Sequence, residues 1–220
     1  MSQVFCGFRG AGAHGTASLV VAAGLVLGTP ASAQAPARDW HISVYGSQWV
    51  NADLLEIPER SLTVGLTREE AYFVGFGLSR AITPPFSIPL PGTDFAFRGN
   101  RLELEGQVLR HFGDQSHWEG TLALLFRTGQ IPLFGGLSVN FAFGEGLSYS
   151  SEPPNLEGSF RVEPSRLLNY LSFEADFTHA SLPGVSIVPR IHHRSGIFGV
   201  IAPRESGSNY IGVGLRVDFR

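Results

Sequence analysis

Apolar and polar side chains alternate with period two along most of this chain. In NYIGVGLRVDFR, at the C-terminal end, Ile211, Val213, Leu215, Val217 and Phe219 alternate with Tyr210, Gly212, Gly214, Arg216 and Asp218, giving one apolar face and one small or charged face. YFVGFGL sets Tyr72, Val74, Phe76 and Leu78 against Phe73, Gly75, Gly77 and Ser79. HWEGTLALLFR sets Trp118, Leu122, Leu124 and Phe126 against Glu119, Thr121 and Arg127. LSVNFAF and NYLSFEADF repeat the pattern at 137–143 and 169–177. With 41–50, 101–110 and 184–195, eight strands are predicted.

Two folds can use eight such strands. In a soluble sandwich or lipocalin-type barrel the apolar rows face inward. In a membrane barrel they meet lipid, and Glu103, Glu105, Glu119, Glu174, Asp176, Arg127 and Arg216 fill a polar interior as paired charges. Strand candidates of about ten residues suit a membrane span. Glycines on the charged face suit the crowded lumen of a small barrel. The final Phe219, followed here by Arg220, resembles the chain-end aromatic of exported barrels. The expected fold is all-β, an eight-stranded antiparallel up-and-down transmembrane β-barrel. With both termini on the periplasmic side, external connections are expected at 51–68, 111–117, 147–166 and 196–207. The linker at 81–99, with ITPPFSIPLPG, is long for a periplasmic turn and is expected to hold an irregular strand extension.

The first 33 residues are set apart from the fold. Arg9, the apolar run ASLVVAAGLVLG, Pro30 and the small-residue stretch ASAQA read as a secretory signal peptide, cleaved after Ala33 or Ala35, with the barrel occupying 34–220. Cys6 is the only cysteine and falls in this leader, so no disulfide or thiol chemistry is expected of the remainder. A GxGxxG formed by Gly10, Gly12 and Gly15 follows no strand and is read as chance. A net charge of −3 gives no basic footprint for nucleic acid. Every basic residue other than histidine is arginine, a bidentate phosphate binder, although genome composition can produce the same bias.

One stretch carries candidate chemistry. In VSIVPRIHHRS, Val185, Ile187, Pro189, Ile191, His193 and Ser195 share the lipid-facing row, while Ser186, Val188, Arg190, His192 and Arg194 face the lumen. The adjacent His192 and His193 point to opposite sides, so they cannot share one metal ion, and no metal or cofactor is expected. His193 and Ser195 lie two positions apart on one face at the external end, close enough for a hydrogen bond. Histidine and serine at a barrel rim also occur simply as groups solvated by lipid headgroups or water.

A His-x-Ser ending the penultimate strand, followed by a loop and a terminal strand SNYIGVGLRVDF, resembles the PagL family of outer-membrane lipid A 3-O-deacylases, or acyloxyacyl hydrolases. The resemblance covers about the last 30 to 35 residues. It implies an outer-membrane serine esterase acting on lipid A in lipopolysaccharide, with Ser195 as nucleophile and His193 as general base. The family's orienting glutamate falls at Asn209 in this chain. An asparagine can fix the imidazole tautomer but cannot stabilise imidazolium by charge. Glu205, in the preceding loop, is an alternative third member. Gly196 stands where the family has an asparagine beside the nucleophile, so an oxyanion donor is either missing or supplied by backbone amides. Arg110 and Arg166 are candidate contacts for lipid phosphates, or ordinary rim residues. A non-catalytic barrel with a structural or loop-mediated binding role is the alternative function, and a narrow pore a third. The oligomeric state is not legible.

Overall fold

Period-two strands joined by short connections pair most simply with their sequence neighbours, and this chain does so until the last strand meets the first. The computed structural model describes residues 39–62, 65–158, 163–203 and 206–219. The expected signal peptide and Glu205 lie outside these residues. The strands are β1 (Trp40–Val50), β2 (Arg68–Ala81), β3 (Phe86–Pro89), β4 (Ala96–Gly113), β5 (Trp118–Arg127), β6 (Ile131–Pro132), β7 (Leu137–Ser150), β8 (Leu167–His179), β9 (Val185–Ser195) and β10 (Gly207–Phe219). Eight of them close a ring in the order β1, β2, β4, β5, β7, β8, β9, β10, every pair antiparallel, with β1 joined to β10 from Trp40↔Phe219 to Trp49↔Tyr210. β3 and β6 are short additions outside this ring.

The linker at 81–99 resolves into an extension of the sheet. β3 pairs with the start of β4 (Phe86↔Asn100, Pro89↔Ala96), so β4 runs for 18 residues, well beyond its pairing with β2. Two external loops are shorter than expected, because alternation continues past the apolar core of the strand. Ser148 and Ser150 still face inward and Tyr149 outward, and His111 faces inward beside outward Phe112, leaving loops at 114–117 and 151–166.

The two faces are chemically opposite. Outward Leu122, Ile187 and Leu215 are 56–59 % exposed, in company with Val74, Phe76, Val108, Phe141 and Val213. An apolar band of this extent requires lipid around it. The lumen buries ions. Arg127 reaches Glu103 at 3.0 Å, Glu174 at 2.7 Å and Asp176 at 2.9 Å; Arg216 binds Glu103 and Asp176, and Arg190 binds Glu105 and Glu174. Buried charges are tolerated only when paired and hydrogen-bonded, and these arginines, from β5, β9 and β10, connect carboxylates of β4 and β8. Toward the external end, Tyr45, Phe73, Leu109 and Tyr210 fill the interior. The architecture is a transmembrane β-barrel whose interior is packed with side chains.

Inward glycines let neighbouring strands crowd this interior. A Cβ on Gly146 would lie 2.0 Å from the carbonyl oxygen of Leu122 on β5. Gly146→Ala must therefore shift backbone, and we expect it to cost about 1–3 kcal/mol, read as a lower midpoint of denaturant unfolding in detergent micelles.

Candidate functional site

The lipid-facing rows give way to polar residues at the external ends of several strands, as at Gln48, Glu70 and Arg110, and on β7, β8, β9 and β10 such residues lie side by side. The ladder register fixes their relations. Glu145 on β7 and His193 on β9 both pair with Leu171 on β8; Asn169 on β8 pairs with Ser195, and Asn209 on β10 pairs with His193. Directly opposed residues carry Cβ atoms about 4.5–5.5 Å apart. Glu145, Asn169, Ser195, His193 and Asn209 thus make one continuous polar patch on the outer wall near its external end.

Within the patch one hydrogen bond defines a chemical state. His193 Nδ1 lies 2.7 Å from Asn209 Oδ1, while Asn209 Nδ2 donates to the carbonyl of Ala52 at 2.8 Å. The carbonyl can only accept, so it turns the amide nitrogen toward itself and presents Oδ1 to the imidazole. His193 Nδ1 therefore carries the hydrogen, and Nε2 is left as the basic nitrogen, as a general base requires. The β1–β2 loop thereby sets the tautomer from a distance of more than 150 residues in sequence. His192, next in the chain, faces the lumen, where its Nε2 meets Glu119 at 3.0 Å.

Asn209 is fitted to this place as an amide. In Asn209→Asp a carboxylate oxygen replaces the nitrogen 2.8 Å from the Ala52 carbonyl. Two acceptors then oppose each other, and we expect a loss of roughly 1–3 kcal/mol in stability, measured as a reduced unfolding midpoint at neutral pH.

Ser195 shares the outer face with His193, but no hydrogen bond joins the two side chains among the described residues. Residues i and i+2 on one face are about 6.5–7 Å apart along a strand, so proton transfer requires side-chain rotation toward each other. Such bonds often tighten only when substrate is bound. Gly196 provides no side-chain donor and could not carry one in this arrangement, since a Cβ would lie 2.3 Å from the Ala202 carbonyl oxygen. Its own N–H is directed at Ser206 O at 3.2 Å. Asn169, opposite Ser195, was not legible as a site residue in the sequence. With its amide turned as its neighbours require, its nitrogen donates to Gly146 O at 3.0 Å and to Glu145 Oε1 at 3.3 Å. The signal that could have found Asn169 and Glu145 is their parity: each is a polar residue in an outward row of Leu, Phe and Tyr.

A groove of about 550 Å³ opens over His193, Ser195 and Asn209, roofed by Asn51–Asp53 and by Glu56 and Arg60 of the segment that follows β1. Arg60 pairs with Glu56 at 3.3 Å and brings a guanidinium to the groove that sequence reading missed, because the short helix α1 (Ile57–Leu62) has too little length for periodicity to show. Arg110 stands on β4, on the opposite wall of the ring from β9, where it donates to Ser116 Oγ and His117 O and lies over Trp118. The structure does not bring it to Ser195. Arg166 precedes β8, and its carbonyl accepts from Arg194 Nη2 at 3.0 Å. Behind the patch, Arg194 grips Glu157 at 2.6 and 2.7 Å, and Ser208 donates to the same carboxylate at 2.6 Å, tying the 151–166 loop into the barrel mouth. Burial pushes the Glu157 carboxyl above its usual range, with Arg194 pulling the other way.

Fold and patch together describe a transmembrane barrel with polar chemistry on its lipid-facing wall. No protein-family model matches the chain, and no curated protein matches it in sequence. Among solved structures, the chain is similar to the outer-membrane enzyme PagL, with a TM-score of 0.49 and 14 % identity over 80 % of this chain and 99 % of that one. It is also similar to the N-terminal β-barrel domain of Pseudomonas aeruginosa OprF (TM-score 0.46, 9 % identity, 83 % and 98 %) and to Neisserial surface protein A (0.43, 10 %, 82 % and 97 %). These likenesses concern the fold, which rests here on its own strand pairings.

Proposed function

We propose that the protein is an outer-membrane serine esterase that removes an ester-linked acyl chain from lipid A in the outer leaflet, exported by its N-terminal signal peptide. The observation that carries this reading is the polar patch on the outer wall, with His193 held by Asn209 in the tautomer of a general base. Polar groups facing lipid are costly, and where they cluster a function compensates. A substrate lying in the membrane reaches this wall directly, without entering the packed lumen.

In the first half-reaction His193 Nε2 takes the proton of Ser195 Oγ as the oxygen attacks the ester carbonyl, forming a tetrahedral oxyanion. Its collapse expels the sugar alkoxide, which receives the proton back from His193. Water, deprotonated by the same Nε2, then hydrolyses the acyl-serine and releases a fatty acid. Asn209 keeps the imidazole oriented throughout but provides no negative charge to the imidazolium, so the rate should fall below that of a triad with a carboxylate. The hydrolytic steps require no cofactor.

Mass spectrometry of lipid A from Gram-negative cells expressing the chain tests the reading: the expected product lacks one acyl group. Unaltered lipid A in cells whose membranes contain the folded barrel would overturn it. A second reading, a non-catalytic barrel that binds partners through its external loops, is favoured by the unbonded Ser195–His193 pair. In that case the lipid A spectrum stays unchanged.

A further inference from the structure

The external end of the lumen holds histidine chemistry that the lipid-facing site does not use. His111 on β4, His117 in the 114–117 loop and Glu119 at the start of β5 place one ligand-type atom each within 4.8 Å of the others, and all three are buried. His111 Nε2 lies 2.7 Å from Glu119 Oε2, and the other carboxylate oxygen faces His192 Nε2 at 3.0 Å. His117 is only 4 % exposed, yet its Nε2 has no hydrogen-bond partner, and His192 Nδ1 is also unpartnered. A buried imidazole nitrogen left without a partner is costly and calls for an occupant.

Charge points the same way. Among the described residues the interior buries six carboxylates, Glu103, Glu105, Glu119, Glu157, Glu174 and Asp176, against four guanidinium groups, Arg127, Arg190, Arg194 and Arg216. At the external end Glu119 and Glu157 share Arg194 alone of these. Two carboxylates here thus face one guanidinium, beside the imidazoles of His111, His117 and His192. Tyr210 OH lies 3.2 Å from His111 Nδ1, placed to orient the ring from behind in the way that outer partners orient metal-bound histidines.

We propose that His111, His117 and Glu119 form a binding site for a divalent transition-metal ion of the Zn²⁺ type, which pins the 114–117 loop to the barrel mouth. Two imidazoles and a carboxylate are a donor set that zinc accepts with a water as fourth ligand. The ring of His117 stacks on that of His111, with centroids 4.1 Å apart and planes at 15°. Coordination uses the in-plane lone pair, so His117 must turn edge-on to bind. Its position in a loop rather than in a strand permits that turn, while His111 and Glu119 remain fixed by the sheet. The site's role is structural and is independent of the esterase reading.

The test uses the full barrel without an affinity tag, refolded in detergent, titrated with Co²⁺ and then with Zn²⁺. The expected result is one equivalent of Co²⁺ with the intense visible bands of a four-coordinate site, displaced by Zn²⁺. His117→Ala should lower the affinity at least tenfold, while His179→Ala, at an exposed histidine near the opposite rim, should leave it unchanged. His117 lies outside the strands, so its removal leaves the barrel folded, and heat-modifiable gel mobility checks this. As a second variant, Glu119→Gln should also weaken binding. The proposal is overturned if the wild-type barrel binds neither ion at 100-micromolar order, or if His117→Ala binds as tightly as the wild type.

Discussion

Ser195→Ala is expected to leave lipid A fully acylated in cells where the unsubstituted chain removes one acyl group. The effect should be large, a loss of at least roughly a thousandfold in rate, because without the nucleophile the acyl-enzyme cannot form. It should also be clean. Ser195 is the last residue of β9, half-buried on the outer face, and its side chain takes part in no hydrogen bond among the described residues. Removing the hydroxyl leaves the ladder from β8 through β9 to β10 intact. Barrel assembly, read by the gel shift between folded and boiled protein, should be unchanged. Activity persisting in the Ser195→Ala membranes would place the nucleophile elsewhere and remove the basis of the proposed mechanism.

Arg127→Met should have the largest effect on stability. The guanidinium of Arg127 is shared by Glu103, Glu174 and Asp176, from β4 and β8, at 2.7–3.0 Å. Arg216 still reaches Glu103 and Asp176, but Glu174 retains only Arg190 at 3.2 Å. Removing one partner from a buried ion network typically costs 3–5 kcal/mol, of the order of ~4 here, chiefly because the remaining charges stay buried. The network then holds one cation fewer for the same carboxylates, so the variant should lose less at acidic pH than at neutral pH. Urea unfolding of the refolded barrel in micelles measures both. A variant as stable as the wild type at pH 7 would mean that water reaches these carboxylates.

The strands were legible because each position declares its side. Alternation assigned Leu122 to lipid and Glu119 to the lumen, and the structure places both there. It assigned His192 and His193 to opposite faces for the same reason. What alternation cannot convey is contact between distant segments. The bond from Asn209 to the Ala52 carbonyl depends on the conformation of the β1–β2 loop, and nothing in the residue Ala52 announces that its carbonyl matters. Gly196 illustrates the same limit. It read as an absent donor, whereas the fold shows that the returning backbone at Ala202 excludes any side chain there. Asn169 and Glu145 were available in principle, but recognising them required knowing that β7 and β8 stand beside β9 in the ring.

The wall between membrane and lumen is a single strand thick, and 190–195 writes two independent texts on it. The even residues, Arg190, His192 and Arg194, belong to the interior lattice of ions; the odd ones, Ile191, His193 and Ser195, belong to the membrane side. Removing the His193 or Ser195 side chain therefore leaves the ion pairs of Arg190, His192 and Arg194 in place. A barrel of this design can carry chemistry on its outer surface that is uncoupled from the contacts that hold its interior together.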